Sequence, residues 1–240
     1  MMEGSDEHVG TDGGAFDAPP VMGRVERRRA QTRQRLLKVA EEMVRARGIE
    51  AVTIDDIAEG ADIARRSFYN LFQSKHDVLV PIARAHTRSL NRRIDRLIAG
   101  IADPAEVISL GLRHTLRGIA GDALCRWFVL HSGLPLDRLR EGVGESGTRD
   151  IERGVREGRF SIPNVAVLEK LLSGAVIGML SAYLAGALTL ADVDDGVGYV
   201  LRVLGVPADE AREIARRPLP PLPKAARGDP PPVVKHRRRR

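Results

Sequence analysis

A short run of basic and polar side chains between residues 64 and 72 has the chemistry needed to recognise the bases of double-stranded DNA. The 3.6-residue period of a helix places four of them on one side: Arg65, Arg66, Tyr69 and Asn70. A guanidinium can bond the O6 and N7 of guanine together and a carboxamide can pair with adenine, so Arg66 and Asn70 are the best candidates for base recognition. The alternative is that both arginines contact only phosphate, as many groups in such interfaces do.

The element that positions these side chains is predicted to be the second helix of a helix-turn-helix. Its inner side carries apolar residues: Phe68, Leu71 and Phe72. A preceding helix opens at Thr53, which can cap the free backbone N–H groups together with Asp56 three residues later. Residues 60–62, Gly-Ala-Asp, supply the turn, because Gly and Asp accept left-handed backbone angles at low cost.

This segment resembles the tetracycline-repressor (TetR) family of bacterial regulators. The resemblance covers about residues 28–79 and depends on a set of residues in the family's order and spacing: Gly48, Thr53, Ile57, Ala58, Ile63, Tyr69, Phe72, Ser74 and Lys75. No single element would suffice, because an isolated helix-turn-helix pattern is a weak signal. Two residues depart from the family pattern: Asp62 stands where the family usually has Gly, and Ala64 where a Ser or Thr cap is usual.

The resemblance also implies roles for individual side chains. It implies that three residues contact phosphates: Thr53, Tyr69 and Lys75. Four others are implied to face base edges or the flanking backbone: Arg65, Arg66, Ser67 and Asn70. A homodimer follows from the same resemblance, with two recognition helices about one DNA turn apart, roughly 34–36 Å, on a near-palindromic operator.

Upstream of this segment the chain is strongly basic. Seven cations surround a single acid, Glu26, at the entry to the first helix: Arg24, Arg27, Arg28, Arg29, Arg33, Arg35 and Lys38. Such an arm, with Arg28 and Arg33 as predicted contacts, can release counterions from DNA or enter a minor groove, although a solvated charge run is the alternative. Residues 1–23 are acidic and glycine-rich and are predicted to form a disordered tail.

The chain as a whole is predicted to be all-α. At 240 residues, 43% hydrophobic and with a net charge of +6, it can hold one or two cores and favours polyanions. We expect a three-helix helix-turn-helix domain over residues 24–79 and a larger helical effector-binding and dimerisation domain over 80–217. A disordered proline-rich and basic tail follows over 218–240. The single Cys125 and the acidic N-terminal stretch, unlike a signal peptide, favour a cytoplasmic protein.

Residues 171–191 carry no charge over a length that could span a bilayer. Small residues recur in this run every four positions, which permits close helix contact in lipid or in water: Gly174, Gly178, Ala182 and Gly186. Its many Gly and Ala residues and the acids that follow favour a buried helix of a soluble protein. In the TetR resemblance this helix pairs with its copy across the dimer axis.

Helices near residues 104–120, 123–131 and 136–157 are predicted to form the effector-binding region. A largely apolar pocket with a few polar groups is predicted from seven side chains: Ile108, Leu112, His114, Leu116, Trp127, Phe128 and His131. By family analogy, a lipophilic or acyl-type effector is favoured. Each histidine is more commonly a satisfied core or surface residue, and each aromatic a simple core residue.

Signals for catalysis or for a metal are weak. The sequence GVGESG at residues 142–147 matches a dinucleotide-binding pattern, but the segment before it is no strand and no βαβ unit is present in the pattern. His86, His114 and His131 lack ligand spacing on one helix turn. We therefore expect no enzyme activity, no cofactor and no metal site.

The sequence predicts a dimeric transcriptional regulator, most simply a repressor released from a palindromic operator by a small effector. Two alternatives stay open. One is an effector-independent nucleoid-type protein that uses the basic ends of the chain for sequence-blind DNA binding. The other is a membrane-tethered regulator anchored by residues 171–191.

Overall fold

The computed structural model describes residues 23–131 and 145–226, and within these ranges it contains helices and no strand. Ten helices follow one another there: α1 (Arg24–Arg47), α2 (Ile54–Gly60), α3 (Arg65–Tyr69), α4 (Lys75–Ile98), α5 (Pro104–Gly121), α6 (Ala123–His131), α7 (Glu145–Arg156), α8 (Val165–Leu184), α9 (Leu190–Val203) and α10 (Ala208–Arg216). The predicted all-α fold, with a small N-terminal and a larger C-terminal helical domain, is confirmed. The predictions for residues 1–22, 136–144 and 227–240 lie outside the described residues.

The N-terminal domain forms around the capped helix-turn-helix. Thr53 Oγ1 accepts a hydrogen bond from the Asp56 amide at 3.1 Å, and the Asp56 carboxylate accepts one from the Thr53 amide at 2.8 Å. This reciprocal pair fixes the start of α2. Asp62, at the position where the family usually has Gly, adopts φ 51° and so provides the left-handed turn residue before α3. The core beneath is apolar and closed, with Leu36, Ile57 and Phe68 fully buried.

Helix α4 runs from the N-terminal domain into the C-terminal domain. Ser74 caps its first turn by accepting a hydrogen bond from the Asp77 amide at 3.2 Å. Its 24 residues extend roughly 36 Å at 1.5 Å per residue. Val78 and Leu79 at one end are buried in the core of the N-terminal domain, whereas Ile94 near the other end lies in the C-terminal domain. A single continuous helix therefore connects the two domains.

Helix α5 is the central helix of the C-terminal domain, and eleven of its residues are buried. It packs against α4, α6, α7, α9 and α10, so most of its circumference is covered by other helices. Helix α6 follows it directly but belongs to a different core. Leu124 and Phe128 of α6 pack into the hydrophobic cluster of the N-terminal domain. The end of α5 is thus joined to the N-terminal domain through α6.

The uncharged run at residues 171–191 is not one helix. Helix α8 ends at Leu184, and Gly186 adopts φ 79°. The Ala187 amide donates to the Ala182 carbonyl at 2.9 Å and the Gly186 amide to the Tyr183 carbonyl at 3.0 Å, which is the Schellman pattern of a helix end. Thr189 then caps α9. The run lacks charges but contains a helix stop and a helix start.

Helix α8 is long and apolar enough to cross a membrane by length and composition, and only 11% of it is buried within the single chain. The prediction of a buried helix therefore does not hold for the isolated protomer. Val167 and Leu171 are more than half exposed, and so are Tyr199 and Val203 on α9. This pair of helices presents an apolar surface that the other described residues leave uncovered.

Residues 217–226 follow α10 as an extended segment that lies against α4 and α5. The backbone of Arg217, at φ −55° and ψ 147°, is close to polyproline II geometry. The carbonyls of Pro223 and Lys224 accept hydrogen bonds from Arg93 and Arg96 at 2.7 and 3.0 Å. The prediction of a disordered tail from residue 218 differs from this arrangement for residues 218–226. The difference arises because arginines on α4 satisfy carbonyls that a polyproline II segment leaves unpaired.

Candidate DNA interface and effector cavity

Helix α3 exposes the polar side predicted from the sequence. Phe68 is buried, whereas Arg66 and Asn70 are exposed. Within the described part of the chain, the side chains of Arg66 and Asn70 bond to no other group. Both are therefore available to contact base edges in a major groove, and Ser67 beside them is half-exposed.

Arg65 differs from its neighbour because it is held by two partners. Its Nη1 lies 2.9 Å from Asp55 Oδ2, and its guanidinium carbon lies 5.8 Å from the centre of the Tyr69 ring. The Tyr69 ring in turn packs edge-on against Phe68. These contacts orient Arg65 and Tyr69 on the surface of α3, as suits groups that position a protein on the DNA backbone.

Two of the residues implied to contact phosphate already have structural roles. Lys75 Nζ donates to the carbonyls of Ile49 and Val52, both at 3.0 Å, and so closes the loop between α1 and α2. The Thr53 hydroxyl donates to Asp56 Oδ2 at 2.6 Å. An ammonium has three donors, so Lys75 retains one for a phosphate, but its first role is to hold the loop.

The basic arm is helical from Arg24 onwards, which differs from an extended arm entering a minor groove. Arg33 lies over the Phe72 ring at 4.9 Å, and Arg29 donates to the Asn70 carbonyl at 3.2 Å. Arg28, one helical turn before Thr32, is exposed. The start of α1 therefore places its cations beside the end of α3, on the same side of the domain.

Helices α4, α5, α7 and α8 surround a cavity of about 140 Å³ with a predominantly apolar lining. Ile108 and Leu112 of α5, both predicted as pocket residues, line it. An engineered cavity of about 150 Å³ in another protein admits benzene, so a cavity of this volume has room for one six-membered ring.

Polar side chains that were not predicted from the sequence also line the cavity, among them Asn91 and Asp95 of α4 and Asp150 of α7. Within the described residues, none of the three side chains has a hydrogen-bond partner. Burial raises the pKa of the Asp150 carboxyl, and the nearby charge of Asp95 raises it further, against the opposing effect of Arg153. The only sequence signal was the presence of Asp95 between Ile94 and Ile98 on an otherwise apolar helix face.

Four of the predicted pocket residues lie elsewhere. Leu116 is buried in the core between α5 and α9, and His114 faces the extended C-terminal segment. Trp127 and Phe128 pack on the N-terminal domain, because α6 turns away from the cavity after Gly121. The side chain of His131 lies outside the described residues.

Helix α6 and the N-terminal domain are also joined by polar contacts. Trp127 Nε1 donates to Glu50 Oε1 at 2.6 Å. At the other end of α6, buried His86 of α4 bonds to Asp122 Oδ2 at 2.8 Å and to Glu41 Oε1 of α1 at 3.2 Å. Burial alone would lower the pKa of His86, but its bonds to the two carboxylates outweigh burial and raise it to about 9. A charged His86 therefore connects α1, α4 and the cap of α6.

The predicted dimer residues share one face only in part. Gly174 and Gly178 of α8 are exposed, and a Cβ atom at either position would meet nothing within 4 Å. Ala182 is half-buried on the last turn. Gly186 lies beyond the helix end, in the turn to α9, and so cannot belong to a helical stripe. No cluster of potential metal ligands occurs among residues 23–131 and 145–226.

Two family models match this chain. The model described as bacterial regulatory proteins, tetR family, matches residues 36–81, and the model described as tetracyclin repressor-like, C-terminal domain, matches residues 103–217. Among solved structures, RolR in complex with the ligand resorcinol is 32% identical over 82% of this chain and 99% of that chain, with a TM-score of 0.75. RolR without ligand is 31% identical, with a TM-score of 0.69.

Curated relatives match mainly over shorter segments. An uncharacterized HTH-type transcriptional regulator of Mycobacterium tuberculosis, Rv1255c, is 30% identical over 104 residues, which are 43% of this chain and 52% of that protein. The HTH-type transcriptional repressor KstR2 of the same species is 35% identical over 86 residues, 36% of this chain and 41% of that protein. The chain thus spans about half or less of the length of these curated relatives.

Proposed function

Because this chain belongs to the tetracycline-repressor family of bacterial regulators, we propose that it is a homodimeric, sequence-specific transcriptional repressor. A small molecule in the cavity releases it from a near-palindromic operator. The observation that carries this proposal is the position of α4 between two parts of the molecule. Its first turns follow the exposed recognition helix α3, and its last turns line an apolar cavity that carries a few polar groups.

DNA recognition is assigned to α3 and the start of α1. Arg66 and Asn70 contact base edges, because their side chains are exposed and have no partner within residues 23–131 and 145–226. Arg65, Tyr69 and the cations of α1 contact the backbone and position α3 in the groove. The first role of Lys75 and Thr53 is to stabilise the fold of the domain through their hydrogen bonds, and contact with DNA is their second role.

The homodimer forms through α8 and α9. The exposed apolar residues of both helices, together with Gly174 and Gly178 on an uncovered face, support close packing against a second copy. A membrane-tethered protein would cover the same α8 surface with lipid. The dimer is preferred because α8 ends at Leu184 and the first five residues of α9 include two acids, Asp192 and Asp194.

The effector is proposed to be a small ring compound that carries hydrogen-bond donors. Asp95 and Asp150 accept hydrogen bonds, and their negative charge disfavours a carboxylate or a phosphate-bearing effector. The cavity volume favours one ring over an acyl chain, which moves the proposal away from the acyl-type effector favoured by family analogy. The resorcinol bound to RolR, a dihydroxylated ring, is the type of molecule that this chemistry fits.

Release follows from differential affinity of the effector for two arrangements of α4. An effector that bonds both α4, through Asn91 or Asp95, and α7, through Asp150, favours one spacing of these helices. The opposite end of α4 carries Val78 and Leu79 in the N-terminal core, so a shift of α4 moves the recognition helix. Only an effector that distinguishes the two arrangements lowers the operator affinity.

The effector proposal is tested by titrating resorcinol into the full-length protein in a calorimeter. Asp150→Asn is expected to weaken binding about tenfold or more, because a hydrogen bond to a charged group contributes about 1.5–3 kcal/mol. Glu152→Gln is the matched control, since it removes an exposed carboxylate from the same helix. Equal affinity of the Asp150 variant and the control would contradict the role of Asp150, and absence of binding by the wild-type protein would contradict the class of effector.

A further inference from the structure

The extended segment 217–226 is bound through its main chain by side chains from two helices. Arg113 of α5 donates to the Arg217 carbonyl at 2.8 Å, and the ring of His114 donates to the Pro220 carbonyl. Arg93 and Arg96 of α4 then hold the carbonyls of the next residues, Pro223 and Lys224. Four carbonyls along ten residues are therefore held by cationic or ring N–H donors.

The composition of this segment suits such binding. Four of its ten residues are proline, which has no amide N–H and keeps the backbone extended. An extended proline-rich segment makes no internal hydrogen bonds, so its carbonyls are free to accept bonds from neighbouring helices. Its apolar residues Leu219, Pro220, Leu222 and Pro223 are half-buried, which places them against the helices rather than in solvent.

The segment contacts α4 opposite the cavity. Asn91, Ile94, Asp95 and Ile98 line the cavity and recur at helical spacing on one side of α4. Arg93 and Arg96 project from the other side of the same two turns. Helix α4 therefore lies between the cavity and the C-terminal segment, and any shift of these turns requires the two carbonyl bonds made by Arg93 and Arg96 to adjust.

We propose that residues 218–226 form a strap that holds the distal half of α4 against α5 and thereby fixes the position of the recognition helix at the other end of α4. The strap narrows the range of α4 positions, so a larger fraction of the protein has the spacing needed for the operator. Its loss lowers operator affinity without removing any DNA contact. The expected effect on operator affinity rests on the proposed function. The restraint of α4 by the strap does not depend on it.

Two truncations separate the strap from the basic end of the chain. A protein ending at Ala226 keeps the strap and loses the final arginines, whereas a protein ending at Arg217 loses both. Hydrogen–deuterium exchange of residues 88–98 is then compared between the two without DNA or effector. Exchange in the protein ending at Arg217 is expected to be roughly fivefold faster or more, because the constraint on α4 is removed. Equal exchange would overturn the proposal.

A point variant tests the same contact in the full-length chain. Arg93→Met removes the donor to the Pro223 carbonyl, and Arg88→Met, at an exposed arginine of the same helix, is the matched control for lost charge. Only the Arg93 variant is expected to show faster exchange in α4 and weaker binding to an operator selected with the wild-type protein. Equal behaviour of both variants overturns the strap. Failure of the wild-type protein to select any operator contradicts the proposed function instead, and leaves the exchange result to decide on the strap.

Discussion

Arg65 and Arg66 are neighbours in the chain, yet their side chains have different surroundings. Arg65 is paired with Asp55 and lies beside Tyr69, whereas Arg66 is exposed and has no side-chain partner among the residues that the structure describes. A side chain that is already oriented loses little entropy on binding a phosphate, and an unpaired one can adapt to a base edge. We therefore assign positioning to Arg65 and base recognition to Arg66.

Replacing Arg66 by Ala should relax specificity at one base position of each half-site. The expected loss against the preferred base is about 1–3 kcal/mol, with little change at other positions. Binding to a set of operators that differ at single positions measures this. Arg65→Ala is the comparison and should weaken binding to all of these operators about equally. An equal loss on every operator for the Arg66 variant would show that Arg66 contacts phosphate.

The pKa of His86 predicts a specific dependence of stability on pH. The folded-state pKa of about 9 lies above the ordinary value of 6.5, so the stabilisation is fully present below pH 6.5 and is lost as the pH rises through 9. The free energy of unfolding should therefore fall between pH 6.5 and 9.5 by up to about 3 kcal/mol more in the wild-type protein than in His86→Gln. Urea denaturation of both proteins across this range measures the difference.

Subtracting the His86→Gln curve removes the contribution of groups present in both proteins. Cys125 is one of the groups present in both proteins that make stability depend on pH. Burial raises the pKa of its thiol far above the ordinary value. Parallel curves for the two proteins would mean that His86 is not charged in the folded state. The same result would remove the ionic connection between Glu41 of α1 and Asp122 at the cap of α6.

The positions of some side chains could be predicted from the sequence, and those of others could not. The exposed side of α3 followed from helical period alone, so Arg66 and Asn70 were placed correctly on the surface. Asp150 and Asn91 were missed because their position at the cavity depends on how four helices pack, which a single sequence does not encode locally. Trp127 was assigned to the pocket on its apolar character, but the direction of α6 after Gly121 carries it to the N-terminal domain.

Helix boundaries were predictable where a capping residue marks them. The start of α2 followed from Thr53, whose side chain accepts the expected amide bond. The end of α8 was missed because the uncharged run continues past it, and the decisive signal was the single Gly186 in a left-handed conformation. The strap was missed because proline-rich composition predicts an extended chain but not the arginines on α4 that bind it.

The exposed face of α8 leads to a prediction about assembly. Gly174→Arg should yield a folded monomer, because a Cβ atom at this position meets no described residue within 4 Å, whereas an arginine there would enter a closely packed helix pair. Gly174→Ala is the control and should remain dimeric, since it adds one methyl group. Analytical ultracentrifugation and circular dichroism measure the mass and the helix content. A dimeric Arg variant would mean that this face lies outside the interface.

In the whole molecule, α4 connects the cavity of the C-terminal domain to the core of the N-terminal domain. One end of the helix is buried with the core beneath α3, and the other lies between the cavity and the strap. Helix α6 provides a second connection through His86 and Trp127. In a dimer joined through α8 and α9, two such connections set the distance between two recognition helices. The proposed function therefore predicts that occupancy of the cavity and affinity for a two-part operator are coupled.

The most direct test of this interpretation is selection of bound DNA from a random duplex pool with the full-length protein at about physiological salt. A specific dimer with two α3 helices predicts recovery of one near-palindromic site, with half-sites about one helical turn apart. Recovery of DNA without any consensus would contradict specific repression and would favour sequence-blind binding by the basic ends of the chain.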